Sequence, residues 1–288
     1  MKIEQMGIKR KQTLSALVML VILGVGYFIY DSLMYVTTDN AMVMAQSTLL
    51  SAKVGGVIVR ANVQENQKVK AGQVLLEISP EDYQNALTQA ESERESLVAQ
   101  LKGAESNYFR AKDLLKHGAS TPERLDVAES QYHSLQRKLQ SSSAQVAQAR
   151  LNLSYTRVIA LVDGQVGRRS FEVGMLAMSG QPLMGFVGGK VRWIVANLKE
   201  TDMNHVSIDQ TVQVRVDSIS EKAFSGVVES ISPATGATFS LLPPDNATGN
   251  FTKVVQRVPV RIKLLNLMDH DIDKLQAGLS ADVKIKIH

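Results

Sequence analysis

The chain has no cysteine, and a single tryptophan stands among its 288 residues. Without a thiol there is no disulfide, no thiolate metal ligand and no cysteine nucleophile. An exported chain of this kind is held by ordinary packing, and lack of cysteine neither proves nor excludes an oxidising compartment. Histidine is sparse too: His117, His133, His205, His270 and His288 are dispersed and show no metal-ligand spacing. No G-x-S-x-G, P-loop or dinucleotide fingerprint occurs. Glu200 and Asp202, two apart in a polar stretch, read as turn residues rather than as paired catalytic carboxylates. The expectation is therefore no enzyme, with no catalytic, cofactor or metal residues. Charge of one sign is not concentrated either: 32 basic against 28 acidic residues leave +4, scattered rather than grouped with aromatics, which argues against a nucleic-acid partner.

Long apolar runs are also scarce, since only Thr13–Tyr30 (TLSALVMLVILGVGYFIY) qualifies, with 18 residues and no charge. As a helix rising 1.5 Å per residue it covers about 27 Å, close to the hydrocarbon core of a bilayer. Lys2, Lys9, Arg10 and Lys11 precede it, and Asp31 and Asp39 follow. The positive-inside rule then places the N-terminus in the cytoplasm and sends the bulk of the chain across the membrane. A cleaved signal peptide is the alternative, but its apolar region is usually shorter and ends at small residues, whereas this run ends in Tyr27, Phe28, Ile29 and Tyr30. The reading is a single-pass, uncleaved anchor.

What the chain does have is a weak internal repeat. Ala52–Leu76 and Ala160–Met184 align without a gap at a spacing of 108 residues. Ala52/Ala160, Val54/Val162, Gly56/Gly164, Arg60/Arg168, Gly72/Gly180, Gln73/Gln181 and Leu75/Leu183 are identical, seven matches in 25. Both copies read as short strands broken by glycine turns, the two halves of one small β-unit.

Between the copies, apolar or small residues recur at alternating spacings of three and four. The first run is Tyr83, Leu87, Ala90, Leu97, Leu101, Ala104, Tyr108, Ala111 and Leu115, with Arg94 the polar intruder. The second is Leu125, Ala128, Tyr132, Leu135, Leu139, Ser142, Val146, Ala149 and Leu153. Such alternation over four heptads predicts coiled-coil packing. Gly118 suits a left-handed C-cap, Thr121 an N-cap and Pro122 the first turn of the next helix. Two helices joined by so short a turn run antiparallel, forming a hairpin about 50 Å long. The chain thereby returns to its start, so the second β-copy can pair with the first.

After the second copy, Lys190–Asp202, Gln210–Val216, Phe224–Ile231, Val254–Leu265 and Ala281–Ile287 have strand character, suggesting a small antiparallel barrel. Ser232–Thr252 is rich in turn formers and too long for a simple hairpin loop. The fold class is mainly β with a long helical coiled-coil hairpin. Its expected parts are a cytoplasmic N-terminus (1–12), the anchor (13–30), the start of a membrane-proximal and barrel region (31–48), a first half-sandwich (49–80), the hairpin (81–155), a second half-sandwich (156–188) and the barrel with the membrane-proximal region (189–288).

In this order the chain resembles the bacterial membrane fusion proteins, the HlyD-like periplasmic adaptors whose split sandwich is lipoyl-like. Thr37–Val43, Trp193–Thr201 and Phe239–Ile262 are most similar to the Emr-type multidrug adaptors. The resemblance implies an adaptor in a tripartite efflux system. Its expected partners are an inner-membrane pump of the major facilitator type, a TolC-like outer-membrane channel and further copies of itself, as a trimer or hexamer. The family's tip residues for channel docking fall on Arg110, Leu114 and Thr121, where Thr121 replaces the family's serine. True lipoyl domains carry a modified lysine midway through the sandwich; the hairpin occupies that place here, so no swinging cofactor is expected. The hairpin is shorter than in the best-known Emr-type members, which leaves open an adaptor of an aromatic-acid exporter. A membrane-tethered module that binds small ligands without a channel is the other alternative.

Overall fold

The computed structural model describes Met19 and residues 34–219, 221–236, 238 and 254–287. The expected anchor, Met19 apart, and most of the Ser232–Thr252 loop lie outside the described residues. Among the described residues, no helix is long and apolar enough to cross a membrane. The chain forms two units, one of Ser47–Gly189 and one of Met1–Gln46 with Lys190–His288. Strands β1 (Tyr35–Ser51) and β8 (Pro182–Lys199) each run on from one unit into the other. Both continue past positions where the sequence reading placed a boundary, although the alternation of buried and exposed residues lapses there, with 46–49 exposed in β1 and 190–191 exposed in β8.

Within the first unit, β2 (Gly56–Ala61), β3 (Lys68–Val69) and β4 (Val74–Ile78) come from the first copy of the repeat. Strand β5 (Arg157–Ile159) immediately precedes the second copy, and β6 (Gly164–Arg169) and β7 (Leu176–Ala177) come from it. Pairing crosses between copies, β2 with β7 and β3 with β6, and β4 pairs with β5 just before the second copy. The 108-residue offset carries over into backbone hydrogen bonds. Gly72 N donates to Ala160 O at 2.8 Å, and Gly180 N donates to Ala52 O at 2.8 Å. Asn66 N donates to Val166 O at 2.9 Å, and its counterpart Gly174 N donates to Ile58 O at 2.8 Å. Each bond maps onto the other when both numbers shift by the repeat spacing and the copies exchange roles, so the two halves are related by a pseudo-twofold. Ile58, Leu75, Leu76, Ile78, Leu183 and Met184 fill the shared core and are fully buried. Each such side chain contributes roughly 1.5–3 kcal/mol over its exposed state.

Helices α1 (Glu81–Lys116) and α2 (Pro122–Tyr155) leave and return between β4 and β5. They run antiparallel: Glu91 meets Arg150 at 2.8 Å, and further along Tyr108 stacks on Tyr132 with centroids 5.6 Å apart. Leu97, Ala104, Leu135, Ser142 and Val146 are the buried residues of the pair, all on the two heptad stripes. Arg94 is exposed.

In the second unit, β9 (Thr211–Val216), β10 (Ala223–Ile231), β11 (Arg257–Leu264) and β12 (Ser280–Lys286) join β1 and β8 in the order β1-β12-β9-β10-β11-β8. A further β1–β8 pairing closes the ring into a six-stranded barrel, which leaves no free edge. Every second residue of β9 (Val212, Val214, Val216) is fully buried, with Ile194, Leu198, Val228, Ile262 and Ile285 beside them.

Candidate functional site

Chain reversal at the hairpin tip is written into the residues between α1 and α2. Gly118 takes φ +70°, a left-handed conformation that glycine adopts without Cβ strain. Gly118 N donates to Leu115 O at 3.0 Å and Ala119 N to Leu114 O at 2.8 Å. This is the Schellman pair of bonds that closes a helix C-terminus. Pro122 opens α2, with its missing N–H costing nothing in the first turn. Thr121 has the extended backbone of an N-cap residue, φ −98° and ψ 152°, but its side chain makes no capping bond. That differs from the sequence expectation. Pro122 pre-sets the first-turn geometry, so the start of the helix does not depend on the hydroxyl.

The three residues singled out by resemblance sit at this end of the hairpin. Arg110 and Leu114 lie four apart on α1, hence on one face. Both are exposed, Leu114 by 42%. Thr121 is exposed immediately before α2. The fold thus brings all three to the tip and leaves them facing solvent.

At the other end the hairpin is tied to the sandwich. Tyr83 of α1 donates its hydroxyl to the Gly55 carbonyl at 2.7 Å. Lys53 Nζ stands 4.5 Å from the centre of the Tyr155 ring in α2, a cation–π contact. Ile78 N donates to Thr156 O at 2.8 Å, joining β4 to the end of α2. Glu81 sits in the first turn of α1; a hydrogen bond from the Ser79 hydroxyl, then its own backbone N–H, holds its carboxyl below the usual value. Sequence reading placed Tyr83 on the packing stripe but missed this tie, because nothing local signals that Gly55 and Lys53 fold beside the hairpin base.

In the barrel unit, Asp271 of α3 (Asp269–Lys274) is buried, and Lys222 Nζ lies 2.7 Å from both of its carboxylate oxygens. The Lys222 hydrogen bond holds the Asp271 carboxyl below its ordinary range, helped by Met268 N–H and His270 and opposed by burial. Burial pushes the Arg192 guanidinium down while Asp273 opposes the shift; its Nε donates to Leu275 O at 2.9 Å. Glu200 and Asp202 fall on a 3-10 turn, Glu200–His205, where Asp202 accepts from the Thr201 hydroxyl at 2.9 Å. Among the described residues, no group of three or more His, Asp or Glu side chains is placed to hold a metal ion.

Comparison with known proteins matches these features to one family. The barrel-sandwich hybrid domain of RND membrane fusion proteins matches residues 47–187, and the CusB-like β-barrel domain matches residues 192–239. The chain is 30% identical to the colistin resistance protein EmrA of Acinetobacter baumannii, over 94% of this chain and 93% of that protein. It is 31% identical to the multidrug export protein EmrA of Haemophilus influenzae, over 96% and 84%. It is likewise 31% identical to the fatty acid resistance protein FarA of Neisseria gonorrhoeae, over 99% and 85%. In fold it is similar to the membrane fusion protein Spr0693 from Streptococcus pneumoniae R6, with a TM-score of 0.64 at 17% identity over 88% of this chain and 99% of that chain. MacA from Actinobacillus actinomycetemcomitans gives 0.62 at 21% identity over 88% and 80%.

Proposed function

This chain belongs to the membrane fusion protein family, and we propose that it is the periplasmic adaptor of an efflux system that exports drugs or other small amphipathic compounds. The observation that carries this reading is the co-linear match to the EmrA relatives through sandwich, hairpin and barrel together. Names of the relatives refer to colistin resistance, multidrug export and fatty acid resistance, which supports export of amphipathic compounds rather than of proteins.

In this reading, residues 13–30 anchor the chain in the inner membrane with its N-terminus in the cytoplasm. An inner-membrane pump, of the major facilitator type, provides the energy. The adaptor provides reach, at about 1.5 Å per helical residue over the length of α1. Arg110, Leu114 and Thr121 at the tip dock a TolC-like outer-membrane channel, and several copies, three or six, pack their hairpins side by side. No bond is made or broken by this chain, and its role is not enzymatic.

The test is removal of residues 81–155 in the native host. Export of drug or solute is expected to be lost, while the truncated chain still fractionates with the inner membrane. Unchanged efflux in a strain with normal levels of the truncated chain would sink the reading.

A further inference from the structure

Strand order in the barrel assembles a cluster of cations from opposite ends of the chain. β12 lies between β1 and β9, with Thr37 opposite Lys284 and Asp282 opposite Arg215. Beyond the β1–β8 closure, Lys199 on β8 lies opposite Arg257 on β11. Alternation turns these residues away from the core, since Gln213 and Arg215 are exposed while Val212, Val214 and Val216 are buried. Together they line one recess of about 600 Å³. Such a volume suits a small molecule.

The charges in this recess do not balance. Lys199, Arg215, Arg257 and Lys284 share its lining with Asp39 and Asp282, four positive charges against two negative ones. Arg257 Nη1 donates to the Asn197 carbonyl at 3.1 Å, and Lys284 Nζ lies 4.3 Å from the centre of the Tyr35 ring. The Arg257 contact is with a neutral group. Among the described residues, Lys199, Arg215 and Arg257 have no ion-pair partner. Like charges gathered in a concave space focus an attractive field on an anion. The long methylene stems of these side chains, with Ala223, add apolar contact between the charged ends.

We propose that this recess binds a small organic anion, its carboxylate held by Lys199, Arg215 and Arg257 and its apolar body lying along their stems. The inference goes beyond the adaptor reading. Binding is measured on the purified chain, so its failure leaves the efflux reading intact, and a failure of efflux leaves binding intact.

The test is calorimetric titration of the full-length chain, reconstituted in nanodiscs of neutral lipid, with naphthalene-2-carboxylate. Saturable binding is expected, with neutral naphthalene-2-carboxamide about tenfold weaker or worse, as loss of a charge-assisted contact implies. Inorganic phosphate, which has the charge without the apolar body, is expected to compete poorly. The double variant Lys199→Gln/Arg215→Gln is expected to weaken binding about tenfold, whereas Arg60→Gln, an exposed cation on the sandwich, leaves it unchanged. Absence of saturable binding, equal binding of the carboxamide, competition by phosphate as strong as by the carboxylate, or an equal loss in Arg60→Gln each overturns the proposal. The carboxamide and phosphate comparisons use the unaltered chain, so they stand however the variants fold.

Discussion

Gly164 stands where a methyl group has no room. A Cβ there would come within 2.5 Å of Val187 O, 2.6 Å of the Phe186 ring and 3.0 Å of Gly188 Cα. Two of those neighbours are backbone in the adjacent strand, so little can yield. Gly164→Ala is therefore expected to destabilise the chain by about 1–3 kcal/mol, as overpacking of a filled interior does. Gly185→Ala, whose nearest neighbour would be 3.8 Å away, is the control and should leave the melting temperature unchanged or slightly raised. Thermal unfolding of both variants by circular dichroism checks this; equal behaviour would show that the close approach is relieved at no cost. Asp271 gives the pH dependence at this scale. Its carboxyl, bonded to Lys222, has a folded pKa below the unfolded value of about 3.9. A carboxylate shifted in that direction stabilises the fold above its unfolded pKa and loses that contribution as the pH falls through the folded pKa. The melting temperature of the unaltered chain should accordingly drop in acid below about pH 4. Asp271→Asn should be less stable at neutral pH and show a flatter acid limb. A steep acid limb preserved in the variant would assign it to other carboxylates.

At the scale of the element, the hairpin illustrates how much a periodic pattern reveals. Each residue of the two stripes read from the sequence, from Tyr83 to Leu115 and from Leu125 to Leu153, is buried or half-buried, and the one polar intruder, Arg94, is exposed. Heptad spacing depends only on helix geometry, so it is legible without tertiary knowledge. Ser142 is the exception within the seam, 3% exposed and with no hydrogen-bond partner for its Oγ. An unsatisfied buried hydroxyl costs about 1–3 kcal/mol of desolvation. Ser142→Ala removes it with little change in volume and is expected to raise the thermal stability of the helical signal; a lowered midpoint would mean that the hydroxyl has a partner in solution. The five barrel strands after the second copy were also visible as elements, but β1 was not visible as a strand, and the neighbours of none of them were visible. That β12 inserts between β1 and β9, and so sets Lys284 beside Thr37 and Asp282 beside Arg215, is a matter of strand order, and no local pattern encodes it.

For the whole molecule, the question is how a reaching arm and its base act together. The hairpin is bonded to the sandwich through Tyr83, Tyr155 and Thr156, so a force on the tip is passed to a core built from both copies. If the tip docks a channel, substituting Arg110, Leu114 and Thr121 together by alanine should impair efflux without changing protein level or melting temperature. All three are exposed, and exposed substitutions of this kind usually shift stability by less than about 0.5 kcal/mol. The measurements are drug accumulation in the host and cross-linking of the adaptor to the channel. Normal efflux with normal cross-linking would remove the docking role from these residues while leaving the hairpin deletion as the test of the adaptor reading.

The amino-acid sequence by itself determined the presence and order of the parts: heptads make the helices, alternation makes the strands, and Gly118 with Pro122 makes the turn. It also contained the 25-residue repeat with its seven identities, though as a similarity without a geometry. Only the tertiary structure decided that the copies exchange strands about a pseudo-twofold, with Gly72 bonded to Ala160 as Gly180 is to Ala52. Only there do Lys199, Arg215, Arg257 and Lys284 come to share one recess. The physical reason is the same in both cases. Helix and strand periodicity arise from contacts a few residues apart, whereas pairing between distant strands is chosen by the burial and hydrogen bonding of the whole chain.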